Sequence, residues 1–258
     1  MGEHGTWFDY LNRFPAWRSF NHSMADHLGR SWKFLIFDEN GFTLNHVLIT
    51  MVVLLFVIIG VRAFFAGTQT ADKGIVPPRK MNLRNFFEYT AESVYGMVEG
   101  AMGEANAPRF FPLIGALWMF ILFSNLIGLI PGFVAPTDTL KTNVGIALLV
   151  FILTHVYGVK EHGLSYFKHF LGPSPFLIPL ILPIELISHL ARPMSLSIRL
   201  MGNMMADHKV VMAFFSLVPF FVPIPFMLLG LLVCLIQALV FCTLTMVYIG
   251  MAIEHEEH

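Results

Sequence analysis

The sequence predicts an all-α integral membrane protein with about five transmembrane helices and one amphipathic helix on the membrane surface. Three observations predict it. Of 258 residues, 56% are hydrophobic and only 13% are charged, about half the charge of an ordinary soluble domain. Five apolar stretches each reach the ~20 residues needed to cross the hydrocarbon core. Between the first two lies a segment whose polar and apolar residues alternate with helical period.

The chain divides into an N-terminal segment, 1–43, and a single membrane domain, 44–258. The first segment holds Glu3, Asp9, Arg13, Arg18, Asp26, Arg30, Lys33, Asp38 and Glu39. It is too charged for the apolar middle of a signal peptide. The first span, 44–66, ends near Arg62, which can snorkel to the headgroups. The amphipathic helix, 82–103, sets Phe87, Ala91, Val94, Val98 and Ala101 on one face and Glu88, Glu92 and Glu99 on another. Such a helix lies on the membrane or packs on its neighbours rather than spanning. Pro77-Pro78 breaks the chain before it, and Pro108 is expected to close it. Further spans follow at 111–134, 144–166, 176–214 and 219–252. The first and third inter-span loops carry most of the Lys and Arg, so the positive-inside rule puts both in the cytoplasm. The N-terminus is then outside and the C-terminus inside.

The segment 176–214 departs from an ordinary span. As one helix it would be ~58 Å long in a core ~30 Å thick. It must tilt, bend at Pro193, or be two shorter helices. Glu185, Arg192 and Arg199 are spaced by seven. Ser188, Arg192, Ser195, Arg199 and Asn203 share a face. A lipid-facing stripe of this kind is costly, ~2.5–3.5 kcal/mol for one central Arg. It should therefore face a partner or a water-filled cavity. Arg199 is the sharpest member, because its guanidinium stays protonated under cellular conditions. No acid in the other spans is an obvious mate, so the mate should come from another chain.

The run Arg192-Pro-Met-Ser-Leu-Ser-Ile-Arg199-Leu-Met-Gly202-Asn203-Met resembles the signature of the a subunits of F-type ATP synthases. So do Leu235-Ile-Gln237-Ala238 with Thr243 to Tyr248, Ser124-Asn125 through Pro131-Gly132, and Pro183-Ile-Glu185. The resemblance covers about 86–252. It implies two long tilted C-terminal helices packed against a rotating c-subunit ring, with the b subunits of the peripheral stalk, the rest of the complex and the lipid bilayer as further partners. It also implies two offset half-channels that carry protons to and from the ring carboxylates, coupling ion flow to rotation and to ATP synthesis or hydrolysis. Arg199 would match the essential arginine, with Asn203 and Gln237 as its polar neighbours. Glu185 and Ser188 would line the cytoplasmic half-channel, and His208 and Asn125 the outer one. Many members pair Glu and His across the last two helices. Here the positions hold His208 and Gly230, so the outer route must use other groups, with Asp207 beside His208 as the candidate. A bacterial inner membrane is the expected location, with an organelle inner membrane as the alternative.

Other classes fit less well. A secondary ion transporter, the alternative reading, would often show internal repeats and more spans. No phosphate-cradling glycine loop is present, so the chain would hold no catalytic site of its own. A net charge of −1 suggests no nucleic acid. His155, His162 and His169 read best as interfacial residues and match no metal motif. Cys234 and Cys242 read as small core residues. No cofactor is implied. Gly230, Cys234, Gln237 and Ala238 form a small-residue face suited to close helix packing.

Overall fold

A computed structural model describes residues 15, 18–19, 22–23, 33–34, 37–38, 44–68, 82–130, 132–163, 166, 178–217 and 223–253. Within the helices, the side chains of 66–68, 178–182, 185–186, 212, 215–217 and 223 fall outside that description. Of the N-terminal segment, the described part includes a short antiparallel pairing of β1 (Lys33–Phe34) with β2 (Phe37–Asp38).

The membrane domain is built from α1 (Leu44–Thr68), α2 (Leu83–Met102), α3 (Ala107–Gly128), α4 (Leu140–His162), α5 (Ile178–Leu217) and α6 (Pro223–Ile253). A 3-10 turn, Pro136–Asp138, joins α3 to α4. Four helices, α1, α3, α4 and α6, are long and apolar enough to cross a membrane. The chain is a multi-pass helical membrane protein. The fifth expected span, on α5, rests on length instead, because its charged and polar residues dilute its apolarity. At 40 residues it is ~60 Å long, twice the hydrocarbon thickness.

Several boundaries move. The amphipathic helix keeps its expected bounds to within a residue, but Pro108 does not close it. It ends at Met102, where Gly103 takes φ 81°, a conformation that suits glycine, and its N–H bonds the Glu99 carbonyl. Pro108 sits instead in the first turn of α3, where a missing N–H costs nothing. The second span does not extend to 134. α3 stops at Gly128, the chain turns through Gly132 with φ 93°, and the 3-10 turn follows. The third span begins at Leu140 and ends at His162, earlier than expected at both ends. The alternatives for 176–214 are also decided: α5 is one continuous helix through Pro183 and Pro193.

The core lies among α2, α3, α4, α5 and α6. Phe110, Ile114 and Ile121 of α3 pack with Leu196 and Leu200 of α5 and with Ala238, Phe241 and Met246 of α6. The small side chains of Cys234, Ala238 and Cys242 are buried, so α6 can approach closely. Helix α2 rests on its neighbours by Phe87, Val94 and Val98, all buried, while Tyr89 and Glu92 stay exposed. The amphipathic pattern therefore reports packing against α1 and α3. One residue fixes that contact: any Cβ at Gly60 of α1 would run into the Phe87 ring. Gly60→Leu should cost about 1–3 kcal/mol by overpacking. It should lower the thermal aggregation midpoint of the detergent-purified protein. An unchanged midpoint would contradict the α1–α2 contact.

Candidate functional site

Helix α5 has two unlike sides. Leu196, Leu200, Met201, Met204 and Met205 are buried against the rest of the chain. Ser188, Ala191, Ser195, Arg199 and Ala206 are exposed. At 100° per residue, Ser188, Ser195, Gly202 and Ala206 all lie within about 60° of Arg199. A Cβ at Gly202 would meet nothing within 4 Å. The permanent charge of Arg199 thus stands on an open face floored by small residues. Among the described residues it makes no hydrogen bond or ion pair. In a bilayer such a charge needs a mate, and this face leaves room for another helix to bring one.

The stripe read from the sequence divides in space. Arg192, two turns before Arg199, turns toward α6 and lies over the Tyr248 ring, 5.2 Å from its centroid. Asn203, one turn after Arg199, donates its Nδ2 to Oε1 of Gln237 at 2.7 Å. Gln237 is buried on α6. The bond therefore ties α5 to α6 one turn from the arginine. Removing one partner strands the other in a poorly solvated site, which costs about 1–3 kcal/mol. Asn203→Leu and Gln237→Leu should each lower the unfolding midpoint. The double variant should lose less than the sum, and strict additivity would deny the bond any weight.

A second polar group lies where α3 meets α4. Thr137 donates to Oδ1 of Asn125 at 2.6 Å, and Nδ2 of Asn143 donates to the Thr137 carbonyl at 2.7 Å. All three residues are completely buried, as is Ser124, and Asp138 is nearly so. Yet Nδ2 of Asn125, Oδ1 of Asn143 and Oγ of Ser124 have no partner among the described residues. Each such atom costs about 1–3 kcal/mol unless water satisfies it. The nest is chemically a place for water.

A family model described as "ATP synthase A chain" matches residues 47–250. The chain is 50% identical to ATP synthase subunit a 2 of Syntrophotalea carbinolica, over 88% of this chain and 92% of that protein. It is 49% identical to ATP synthase subunit a of Sorangium cellulosum, over 72% and 73% of the two chains. With ATP synthase subunit a of Geobacter sulfurreducens the identity is 51%, over 67% and 75%. The chain belongs to the ATP synthase A chain family.

In this family member the position facing α5 is Gly230, and its neighbour is Asp207. A Cβ at Gly230 would sit 3.9 Å from Oδ2 of Asp207 and would crowd Leu129. That oxygen is buried and has no hydrogen-bond partner. Leu129 thus occupies the space that a side chain on α6 would fill, with the carboxylate at its edge. His208 is half-buried, Lys209 is exposed, and neither makes a hydrogen bond or ion pair among the described residues. The backbone of Glu185 is helical, but its side chain lies outside the description. Ser188 is exposed on the Arg199 side.

Sequence reasoning named Asn125 but missed Thr137 and Asn143. Their signal was the run Thr137-Asp138-Thr139 with Asn143, four polar side chains just where a span should begin. Reading the second span through to 134 hid the turn that brings them under Asn125. Among the described residues no three His, Cys, Asp or Glu side chains gather as a metal site.

Proposed function

We propose that this chain is the proton-conducting stator of an ATP synthase membrane sector, with Arg199 facing carboxylates carried past it by a c-subunit ring. The observation that carries the reading is the guanidinium of Arg199, which has no ion-pair partner among the described residues and stands on a face of small residues. A ring carboxylate passing within ~4–6 Å of a fixed cation has its pKa lowered by ~1–3 units. It therefore drops its proton beside Arg199 and must regain one before it meets lipid. Arg199 accepts no proton itself, so it also bars a direct hop between the two half-channels.

The outer half-channel runs from the Asn125–Thr137–Asn143 nest toward Asp207, with His208 beside it. The Asn203–Gln237 bond stands between that route and Arg199. The inner half-channel leaves along Glu185 and Ser188. Protons enter from outside, ride the ring, and exit to the cytoplasm, driven by ~2.3 kcal/mol per charge per 100 mV. The chain sits in a bacterial inner membrane with its N-terminus outside and its C-terminus inside. The b subunits of the peripheral stalk hold it against the ring. The chemistry of ATP belongs to other subunits.

Cysteines at Ser188, Ala191, Ser195 and Ala206, each paired with a cysteine beside the ring carboxylate, test the face. Disulfides should form at most of these positions in intact membranes. No crosslink at any of them would remove the proposed contact.

A further inference from the structure

Where α4, α5 and α6 meet, the chain holds a water-sized space that the proposed proton path does not use. This cavity of about 20 Å³ is walled by Ala147, Val150 and Thr154 of α4, by Arg192 and Leu196 of α5 and by Tyr248 of α6. That volume takes one water. His155 and His189, both half-buried, also line it.

The cavity lies close to the buried polar nest. Asn143 belongs to that nest, where its Nδ2 donates to the Thr137 carbonyl. Asn143, Ala147, Val150 and Thr154 follow one another by four, three and four residues, and all are buried. They therefore form one face of α4. The nest sits at one end of this face and the cavity at the other. Asn143 and Ala147 are one turn apart, ~6 Å along the axis, about two hydrogen-bonded water separations. Ala147 is the smallest side chain on this face, so apolar packing makes only a thin barrier there. A proton crossing it would pass through the interior of the chain and turn nothing.

Arg192 stands on the far side of that barrier. Its guanidinium stays protonated at any cellular pH. It lies over the Tyr248 ring, 5.2 Å from the centroid, and makes no hydrogen bond or ion pair among the described residues. Its charge is therefore not cancelled at the cavity wall. A second positive charge brought within ~4–6 Å of it is disfavoured by about one to three powers of ten.

We propose that Arg192 is an electrostatic barrier that stops protons from short-circuiting through the interior, from the Asn125–Thr137–Asn143 nest to the cavity between α4, α5 and α6. The inference rests on the nest belonging to the outer half-channel, as proposed above. The two arginines then close different routes. Arg199 closes the one along the open face of α5, and Arg192 closes the one behind it.

The test uses the whole ATP synthase reconstituted into liposomes, with the ring carboxylates capped by a carbodiimide so that ring-borne transport stops. Proton entry under a potassium diffusion potential is read by a trapped pH-sensitive dye. Capped wild type should be tight. Arg192→Gln and Arg192→Met, two uncharged side chains of similar reach, should each leak at least about tenfold faster. Arg192→Lys should stay tight, because a half-exposed lysine keeps its charge at neutral pH. Adding Asn143→Leu to either uncharged variant should close the leak by removing its entry. If both uncharged variants are as tight as wild type, or if the lysine variant leaks as they do, the barrier is not the charge and the proposal fails. Flux in capped wild type would sink the ring-carried path and this inference with it, whereas tight wild type beside tight variants sinks this inference alone.

Discussion

Arg199→Ala should abolish coupled proton pumping in membrane vesicles, while the complex should still assemble. The effect follows from the size of one charge interaction. A cation within ~4–6 Å lowers a carboxylate's pKa by ~1–3 units, and each unit is worth about 1.4 kcal/mol. Without it, release of the ring proton slows by roughly ten- to a thousandfold. The second half of the effect is leakage, because nothing then separates the two half-channels. Arg199→Lys should recover little. Lysine keeps a positive charge, but it can surrender its proton when desolvated and lacks the rigid fork of the guanidinium. The side chain is exposed and has no partner among the described residues, so its loss should leave folding nearly intact. Pumping is read by ATP-driven fluorescence quenching, and assembly by co-purification of the ring. Normal quenching in the Ala variant would end the central role of this residue.

Asp207→Leu should slow pumping by about a hundredfold, the low end of the weight of one positioned proton-transfer group. The carboxylate faces Gly230 across α5 and α6, and its buried Oδ2 has no hydrogen-bond partner among the described residues. A group with nothing to hold it in place for structural reasons is costly unless it acts. Asp207→Asn preserves the shape but cannot carry a proton, so it should behave like the Leu variant in flux and like wild type in thermal stability. If Asn pumps at the wild-type rate, Asp207 is a packing residue and the outer route runs elsewhere. His208→Gln separates the pair: pumping at the wild-type rate in that variant would leave the outer route to Asp207.

The closeness of the Asn203–Gln237 contact illustrates what residue spacing can and cannot tell. Both side chains were legible as polar members of long apolar helices, since a period of 3.6 puts Asn203 one turn beyond Arg199. The 2.7 Å bond between them joins residues 34 apart in the chain, and only the packing of α6 on α5 sets that distance. Arg192 shows the opposite outcome. Periodicity placed it in one stripe with Arg199, but the Tyr248 ring at 5.2 Å draws it to the edge of the face. A helical wheel says which residues share a direction, not which neighbour waits there.

By itself the sequence determined that this chain lives in a membrane, that one helix carries a permanent charge too costly to leave in lipid, and that Asn203 and Gln237 accompany it. Those follow from composition, span length and helical period, which are local properties. The tertiary structure alone decided that α5 is continuous through two prolines, that Leu129 fills the space over Gly230 with Asp207 at its edge, and that Thr137 and Asn143 close around Asn125. These depend on where chain segments far apart in sequence come to rest. Close packing between helices fixes such placements to within an ångström, and no periodic pattern along a single chain encodes them.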